Sequence, residues 1–325
     1  MPRFAFRVLS SLLLAVSATV SITAHAAPVG LGIAGDFNLF SLKNVTVSGG
    51  NIQGAVAAAG NLTSSNNSIN NGKDAYAGNA VVVGGNLTAK GGSINNGNGY
   101  VGGTTSLSSF GFSGKWTGGT SPVVFADQAA QLKQLSTSLA GLATTGSSAI
   151  QWGGMAFLGS DSAVEIFDIS GSDLASVNWS SMSHLAANST VILNISGKTA
   201  GLQGGLTNGF ANYNVLFNFF EATTLNFSNV EVFGSVLAPL ATVTGGSGQI
   251  DGNVVVGDWN SNLTLSNSRD FDTIEVKQFA LPAAASAGRD VAQAVPEPAG
   301  FALFATALAL LAWSSRQKPA RRQVL

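Results

Sequence analysis

The chain carries two nearly identical stretches, "GNLTSSNNSINNG" at Gly60–Gly72 and "GNLTAKGGSINNG" at Gly85–Gly97. They are 25 residues apart, and each follows a run of small apolar residues. A repeat of this length is typical of one supersecondary unit that buries its apolar face against the next copy. The spacing therefore predicts that the two stretches stack on each other.

Related stretches continue the pattern later in the chain. "GYVGGTTSL", from Gly99, resembles a third and shorter copy. "GSVLAPLATVTGGSGQIDGNVVVGDWN", at Gly234–Asn260, repeats the pattern with an 18-residue step from Gly234 to Gly252. The pattern therefore occurs both early and late in the chain.

Within the repeats, short alternating strands are separated by Asn and Gly. In "NVTVSGGNIQGAV", from Asn44, the alternation directs Val45, Val47 and Ile52 inward. Asn and Gly tolerate the left-handed backbone that the corners of a coil require. We predict a mainly β fold with a parallel β-helix or solenoid-like body; the alternative is a β-sandwich of short hairpins.

One segment has helical rather than strand periodicity. "SPVVFADQAAQLKQLSTSLAGLA", at Ser121–Ala143, places apolar residues on one face of a helix. The apolar positions are Phe125, Ala129, Leu132, Leu135 and Leu139. This predicts an amphipathic helix over about 122–143 that packs along the flank of the solenoid; the alternative is a linker helix between two domains.

Composition and charge exclude several classes of protein. Only 10% of the 325 residues are charged, 40 are glycine and none is cysteine, so disulfides and thiolate metal sites are excluded. Residues 27–295 hold nine Lys and Arg against fifteen Asp and Glu, a net charge of −6. A mildly acidic body with scattered basic residues argues against nucleic acid as a partner.

The N-terminus has the pattern of a secretory signal peptide. Arg3 and Arg7 precede an apolar core at Val8–Ile22, and Ala24-His25-Ala26 forms an A-x-A cleavage signature. We expect residues 1–26 to direct the chain through the Sec translocon. We expect signal peptidase to cut between Ala26 and Ala27. The alternative is an N-terminal transmembrane anchor.

Two segments follow the body: a linker at 281–294 and a three-part segment at 295–325. Pro296-Glu297-Pro298 precedes an apolar run at Ala299–Trp313. A 15-residue helix is about 22 Å long, shorter than a hydrocarbon core of about 30 Å. The apolar run therefore predicts a short hydrophobic helix that is held only transiently in the inner membrane. A basic tail follows, which favours a cytoplasmic end; its residues are Arg316, Lys318, Arg321 and Arg322.

These three parts in this order resemble the PEP-CTERM sorting signal of Gram-negative bacteria. In proteins with that signal, an integral membrane transpeptidase-like enzyme, exosortase, is thought to recognise and remove the tail. The resemblance implies export past the inner membrane, exosortase as a partner, and a host that often secretes exopolysaccharide.

The body carries a second resemblance. "LGIAGDFNLFSLKNVTVSGGNIQGAVAAAGNLT" is similar to the opening of the choice-of-anchor A domain family. "NVLFNFFEATTLNFSNVEVFGSVLAPLATVTGGSGQIDGNVVVGDW" is similar to its close. The resemblance covers about Ala27–Ile274, within a domain that we place at 27–280. It implies a β-helical fold similar in style to bacterial adhesive and ice-binding-like domains, and it implies no enzymatic activity.

No catalytic constellation is predicted. After removal of the signal peptide, His184 is the one remaining histidine. A Ser-His-Asp set of His184 with Ser180 or Ser183 and Asp173 is conceivable, but no G-x-S-x-G context supports it. We therefore assign no catalytic or cofactor-binding residues.

No metal ligand is assigned either, although one cluster of carboxylates leaves a calcium site open. Asp161, Glu165 and Asp173 could share a face, whereas Asp168 lies at odd spacing from Glu165 and faces the other way. Solvated loop carboxylates are the alternative.

The sequence thus predicts an exported, non-enzymatic protein of the cell surface or extracellular matrix. It would be structural or adhesive, associated with biofilm or exopolysaccharide, and in contact with polysaccharide or other surface proteins. One alternative is a polysaccharide-active enzyme on a β-helix. Another is an ice-binding-like protein, in which Thr63 and Thr88 would stack in a regular rank.

Overall fold

A computed structural model describes residues 27–72 and 75–276. The predicted signal peptide, linker, short hydrophobic helix and basic tail lie outside the described residues. The strands are β1 (Ala27–Val29), β2 (Leu39–Ser41), β3 (Val45–Ser48), β4 (Asn51–Ile52), β5 (Val56–Ala58), β6 (Leu62–Ile69), β7 (Asn79–Val83), β8 (Leu87–Ile94), β9 (Asn98–Val101), β10 (Thr105–Ser108), β11 (Gly111–Phe112), β12 (Trp116–Thr117), β13 (Ser147–Gln151), β14 (Gly154–Leu158), β15 (Val164–Ser170), β16 (Ser180–Ser183), β17 (Thr190–Ser196), β18 (Thr199–Gln203), β19 (Asn214–Asn218), β20 (Thr224–Ser228), β21 (Val230–Val232), β22 (Ser235–Thr244), β23 (Gly248–Asp251), β24 (Val254–Asn260), β25 (Thr264–Ser266) and β26 (Ile274–Val276). The α-helices are α1 (Phe125–Ala140) and α2 (Gly171–Ala175), and short 3-10 helices span Gly32–Asp36 and Asn208–Phe210.

The repeated stretches stack in parallel, as their spacing predicts. Leu62 lies beside Leu87 and Thr63 beside Thr88, a step of 25 residues. Val236 lies beside Val254, a step of 18 residues. Twenty-one strands join in one sheet, and each pairing within it is parallel. The parallel β-helix is confirmed, and the β-sandwich alternative is wrong because hairpin strands pair antiparallel.

The coils bend at corners, so the continuous sheet wraps into three faces. The helix-covered face contains β15, β17, β19, β2, β5, β7, β9, β12 and the first halves of β22 and β24. The polar face contains β18, β20, β3, β10, the second halves of β22 and β24, and the first halves of β6 and β8. The third face contains β21, β23, β25, β4, β11 and the ends of β6 and β8.

The chain enters the solenoid in its middle. The first coil, β2 to β4, stacks on the second coil, β5 and β6, on one side. On its other side it stacks on the last coil, β24 and β25. Residues more than 200 positions apart in the sequence therefore lie beside each other, as Val45 and Trp259 do.

Inward side chains form continuous apolar ranks. Val45, Leu62 and Leu87 follow each other in register, and Trp259 adjoins Val45; all four are buried. Val47 and Ile52 are also buried, which confirms the predicted inward pattern. Strands about 4.8 Å apart bring such side chains into direct contact, so the interior is one close-packed column.

Left-handed residues form the corner between the polar face and the third face. Asn66 has a φ of 49° and Gly91, in the next coil, has a φ of 65°. In this conformation a Cβ clashes with the backbone. Gly has no Cβ and avoids the clash, and Asn tolerates it better than most residues. The Asn and Gly of the repeats therefore mark the corners, as predicted.

The amphipathic helix is shorter than predicted. It begins at Phe125 and ends at Ala140, not at about 122 and 143. Before it, the Ser121 hydroxyl bonds the backbone of Val123 in a local turn, so the residues just after 121 precede the helix rather than belonging to it. After it, Gly141 is the C-cap.

Helix α1 packs on the solenoid, as predicted, rather than linking two domains. Buried residues of the helix, Leu132, Leu135 and Leu139, join a second apolar cluster with outward residues of the helix-covered face, such as Phe40 and Val255. Ser136 of the helix bonds Asn218, and Asn194 donates to the carbonyl oxygen of Leu139 at 2.9 Å. One face of the β-helix is therefore buried on both sides.

Two smaller sheets complete the described residues. Strands β1 and β26 pair antiparallel, with Ala27 beside Val276, so the two ends of the described region meet. Strands β13 and β14 form an antiparallel hairpin, and β16 adds to β14 in parallel. The described residues belong to one compact unit.

Replacing an inward leucine in a central coil should destabilise the whole column. Leu62 is fully buried between Val45 and Leu87, so Leu62→Ala should lower the free energy of unfolding by about 2–5 kcal/mol. Leu107, in an outer coil, is 38% exposed, so Leu107→Ala should cost less than about 1 kcal/mol. Equilibrium denaturation in urea measures both, and equal losses would contradict a core centred on the inner coils.

Candidate adhesive face

The polar face carries a straight rank of exposed small polar side chains. We call this set the central rank; in spatial order it comprises Thr244, Asn260, Thr46, Thr63, Thr88 and Ser106. All six are exposed, whereas the residues that alternate with them are mostly buried. Neighbouring members are one strand apart, about 4.8 Å, so the rank is a regular line of hydroxyl and amide groups.

A ladder of asparagines runs parallel to the central rank at the corner with the helix-covered face. The side-chain oxygen of Asn44 accepts from the backbone N–H of Asn61 at 3.0 Å. Asn61 accepts in the same way from Asn86 at 2.8 Å, and Asn86 accepts from Thr104 at 2.8 Å. Each asparagine therefore satisfies a backbone donor of the next coil and holds the corners in line.

The repeated "GNLT" combines four structural tasks. The glycine permits close approach, since a Cβ at Gly85 would lie 2.5 Å from the side-chain oxygen of Asn61. The asparagine forms the ladder, the leucine fills the interior, and the threonine, as in Thr63 and Thr88, faces outward. One four-residue motif thus produces both the stacking and the exposed surface.

An open trough of about 380 Å³ lies beside the central rank at the corner with the third face. Its lining is small, polar and uncharged, and consists of Thr46, Ser48, Gly245, Asn260, Ser261 and Asn262. It forms where the last coil meets the first, so residues from the two ends of the body build it. Its groups donate and accept hydrogen bonds without imposing a charge.

The conceivable Ser-His-Asp set is not assembled. His184 pairs with Asp161, Nδ1 to Oδ2 at 3.1 Å, and both side chains are largely exposed. The Ser180 hydroxyl donates to the carbonyl oxygen of Leu206, and that of Ser183 donates to Phe157. Asp173 lies in the first turn of α2. The histidine therefore contacts Asp161 at the surface rather than activating a serine.

The suggested calcium cluster is not assembled either. Glu165 is completely buried and is occupied by protein donors: Thr145, and the backbone N–H groups of Ser160 and Ser162 at 2.7 and 2.9 Å. Asp168 is exposed on the opposite side of β15, as its odd spacing predicts. Within the described ranges, no three His, Cys, Asp or Glu side chains are grouped to hold a metal ion.

The hydrogen bonds around Glu165 also set its ionisation. Burial raises the pKa of this carboxyl, but the hydrogen bonds from Thr145, Ser160 and Ser162 together lower it by more than burial raises it. The pKa therefore lies below its ordinary value of 4.5. The ionised carboxylate therefore fastens the loop 160–162 to the end of the solenoid.

Sequence reasoning found two members of the central rank, Thr63 and Thr88, and missed the other four. Asn260 is contributed by the distant last coil and Thr244 by the coil before it, and the sequence did not place either of them beside the first coil. It also missed the β13–β14 hairpin, whose tip holds Trp152 at 94% exposure. The usable signal was "WGG", because a glycine pair after an alternating run is typical of a tight hairpin turn.

The predicted sorting residues lie outside the described region. They are Ala26 at the cleavage site, Pro296–Pro298, and the residues of the basic tail. Among the described residues, no helix is both long enough and apolar enough to cross a membrane.

A family model described as "Putative Ice-binding-like adhesive domain" matches residues 30–267. The match covers most of the chain, and the chain belongs to this family. It is therefore an adhesive-domain protein, of the kind expected at a cell surface, and its family name describes adhesion rather than catalysis. A comparison with curated proteins found no match, and neither did a comparison with solved structures.

Glu165→Gln should change how stability depends on pH. Because the folded-state pKa of Glu165 lies below the unfolded value, its contribution is complete above about pH 4.5 and is lost as the pH falls through the folded-state pKa. The gap in free energy of unfolding between wild type and Glu165→Gln should therefore shrink from about pH 7 to about pH 3.

Denaturation at a series of pH values measures this gap. The matched control is Glu231→Gln, which removes an exposed carboxylate from β21 and should leave the pH dependence close to that of the wild type. A gap for Glu165→Gln that stays constant with pH would contradict the assignment.

Proposed function

We propose that this protein is an exported, non-enzymatic adhesive of the cell surface or extracellular matrix, which uses the polar face to contact hydrated polymers such as exopolysaccharide. The central rank is the observation that carries the proposal. It offers closely spaced hydroxyl and amide groups on a rigid scaffold, and weak contacts along such a line add up when both partners are extended.

The composition of the central rank supports adhesion to neutral, hydroxyl-rich partners, and the charged residues of the polar face, such as Lys90 and Asp258, lie outside this rank. Along the central rank no side chain is charged, and the neighbouring trough is equally uncharged. Hydrogen bonds between neutral groups are insensitive to salt, whereas contacts between exposed charges are screened. An adhesive that works outside the cell gains from contacts that survive changes of ionic strength.

We also propose that the two ends of the chain direct export. Signal peptidase would cut between Ala26 and Ala27, and exosortase would recognise Pro296–Pro298, the apolar run and the basic tail. Strand β1 covers Ala27–Val29, so cleavage before Ala27 would keep every pairing of the described body. The protein would be held transiently in the inner membrane of a Gram-negative bacterium and then released to the surface or matrix of a biofilm.

Processing at both ends should be visible by mass spectrometry of protein recovered from the extracellular matrix. We expect an N-terminus at Ala27 and a C-terminus close to Pro296–Pro298. Material from cells that lack exosortase should keep the tail and remain with the membrane fraction. An intact Leu325 in extracellular protein would contradict the proposed sorting.

Charged, bulky substitutions on the central rank should abolish adhesion without unfolding the protein. The double variant Thr63→Lys, Thr88→Lys places two long side chains on the polar face, where both positions are exposed. We expect at least about a tenfold loss of attachment to exopolysaccharide-coated surfaces, because a flat contact fails when its centre is held apart. Restoring attachment of a deletion strain with each variant measures the effect.

The matched control is Ser68→Lys, Ser93→Lys, in the same two strands but on the third face. It should support wild-type attachment. If both double variants support attachment equally, the polar face is not the adhesive surface; if deletion of the gene changes neither attachment nor biofilm cohesion, the adhesive function itself is wrong.

The regular line of threonines also favours a second candidate, binding to ice. Thr46, Thr63 and Thr88 occupy three successive coils, one more than the sequence indicated. Thermal hysteresis of the same purified wild-type protein and Thr63→Lys, Thr88→Lys variant separates the two ligands. Hysteresis that the variant loses assigns the face to ice, and its absence in the wild type excludes ice.

A further inference from the structure

We infer that the molecule has a second binding site, for a neutral glycan. It lies in another open trough, beside the tip of the β13–β14 hairpin and separate from the trough beside the central rank, with Trp152 as its aromatic platform. This inference rests on the proposed adhesive function and names a ligand class and a site separate from the central rank. Three observations carry it: the exposure of Trp152, the rigidity of its support, and the chemistry of the trough.

Trp152 is the first observation. Its side chain is 94% exposed, far more than that of any other large apolar residue exposed within the described ranges. It also has a φ of 53°, a left-handed conformation that is costly for a bulky residue. Asn or Gly would occupy this turn position at lower cost, so both solvation and backbone preference disfavour a tryptophan here.

The hairpin that carries Trp152 is rigidly supported. Met155 and Phe157 of β14 are buried in the solenoid core. Trp179 packs flat against the hairpin backbone, since a Cβ at Gly154 would lie 2.2 Å from its ring. The exposed ring is therefore presented on a braced element, which reduces the entropy lost on binding.

The trough is the third observation. An open trough of about 430 Å³ is lined by Gly153, which directly follows Trp152, and by successive corners of three coils. Its polar residues are Ser176, Asn178, Gln203, Ser228 and Asn229, and none of its lining residues is charged. The volume is within the range of sites that hold small organic ligands.

The polar groups are arranged to accept and donate hydrogen bonds to a ligand. The amide nitrogen of Gln203 donates to the carbonyl oxygens of Ala175 and Val177, at 2.9 and 3.2 Å, which orients the side chain. Asn229 is held by Ser247 at 2.8 Å. Oriented side-chain amides with exposed neighbours such as Asn178 offer both donors and acceptors along the trough.

An aromatic ring beside neutral amides and hydroxyls matches the chemistry of a sugar. A pyranose has a C–H face that stacks on an aromatic ring and a rim of hydroxyls that both donate and accept. Acidic glycans and anionic lipids are disfavoured, because the trough offers no cation and the body has a net charge of −6. The observations therefore favour a neutral polysaccharide over a membrane surface.

The test is affinity electrophoresis of the full-length protein in gels that contain a neutral glucan, a neutral galactomannan or acidic alginate. Wild type should be retarded by at least one neutral polymer and not by alginate. Trp152→Ala should lower the apparent affinity at least tenfold, and Trp152→Phe should keep it within about threefold, since the ring face is preserved. Asn178→Ala, which leaves the hairpin intact, should lower it severalfold.

The matched control is Trp116→Ala, which removes a partly exposed tryptophan of β12 at the far end of the sheet and should leave the affinity unchanged. Circular dichroism checks that each variant folds. The inference is overturned if Trp152→Ala binds like wild type, or if wild type binds zwitterionic vesicles through Trp152 and no glycan. If wild type binds no glycan but the central-rank variants still lose attachment, this site is wrong and the proposed function stands.

Discussion

The whole structure depends on in-register stacking of successive coils around one apolar column. Leu62 must lie beside Leu87 and Val45, because strands about 4.8 Å apart share a single interior. A slip of one residue would turn the leucines outward and the threonines inward, so the register is strongly specified. The asparagine ladder and the left-handed corners keep each coil in that register.

The same constraint divides the surface by function. One face is buried a second time under α1 and becomes structural, as the apolar contacts of Leu135 and Leu139 with its outer side indicate. The polar face stays open, and there stacking converts every outward threonine into a member of a line. Regular exposed chemistry is thus a consequence of regular buried chemistry, and a solenoid with few charges can still present a defined surface.

The central rank and the proposed glycan site beside the hairpin tip suit different aspects of adhesion. The rank is long, flat and repetitive, which favours many weak contacts with an extended partner. The proposed site would combine the exposed Trp152 ring with the oriented amides of the trough, which favours a specific unit within that partner. An adhesive that combines the two would gain both avidity and selectivity, in a body whose neutral contacts tolerate changes in salt.

The sequence by itself determined the parallel β-helix, its corners, the inward positions and the helix on its flank, because these follow from repeat spacing and local periodicity. It also placed Glu165 and Asp168 on opposite sides of one strand, because the spacing between them is odd. Tertiary structure alone decided that the last coil stacks on the first, which brings Trp259 to Val45 and completes the central rank. It alone decided that His184 meets Asp161, that donors from three residues hold Glu165, and that Gly153, next to Trp152, lines a trough. The physical reason is that such contacts join residues far apart in the chain, and neither spacing nor propensity encodes which distant coil becomes a neighbour.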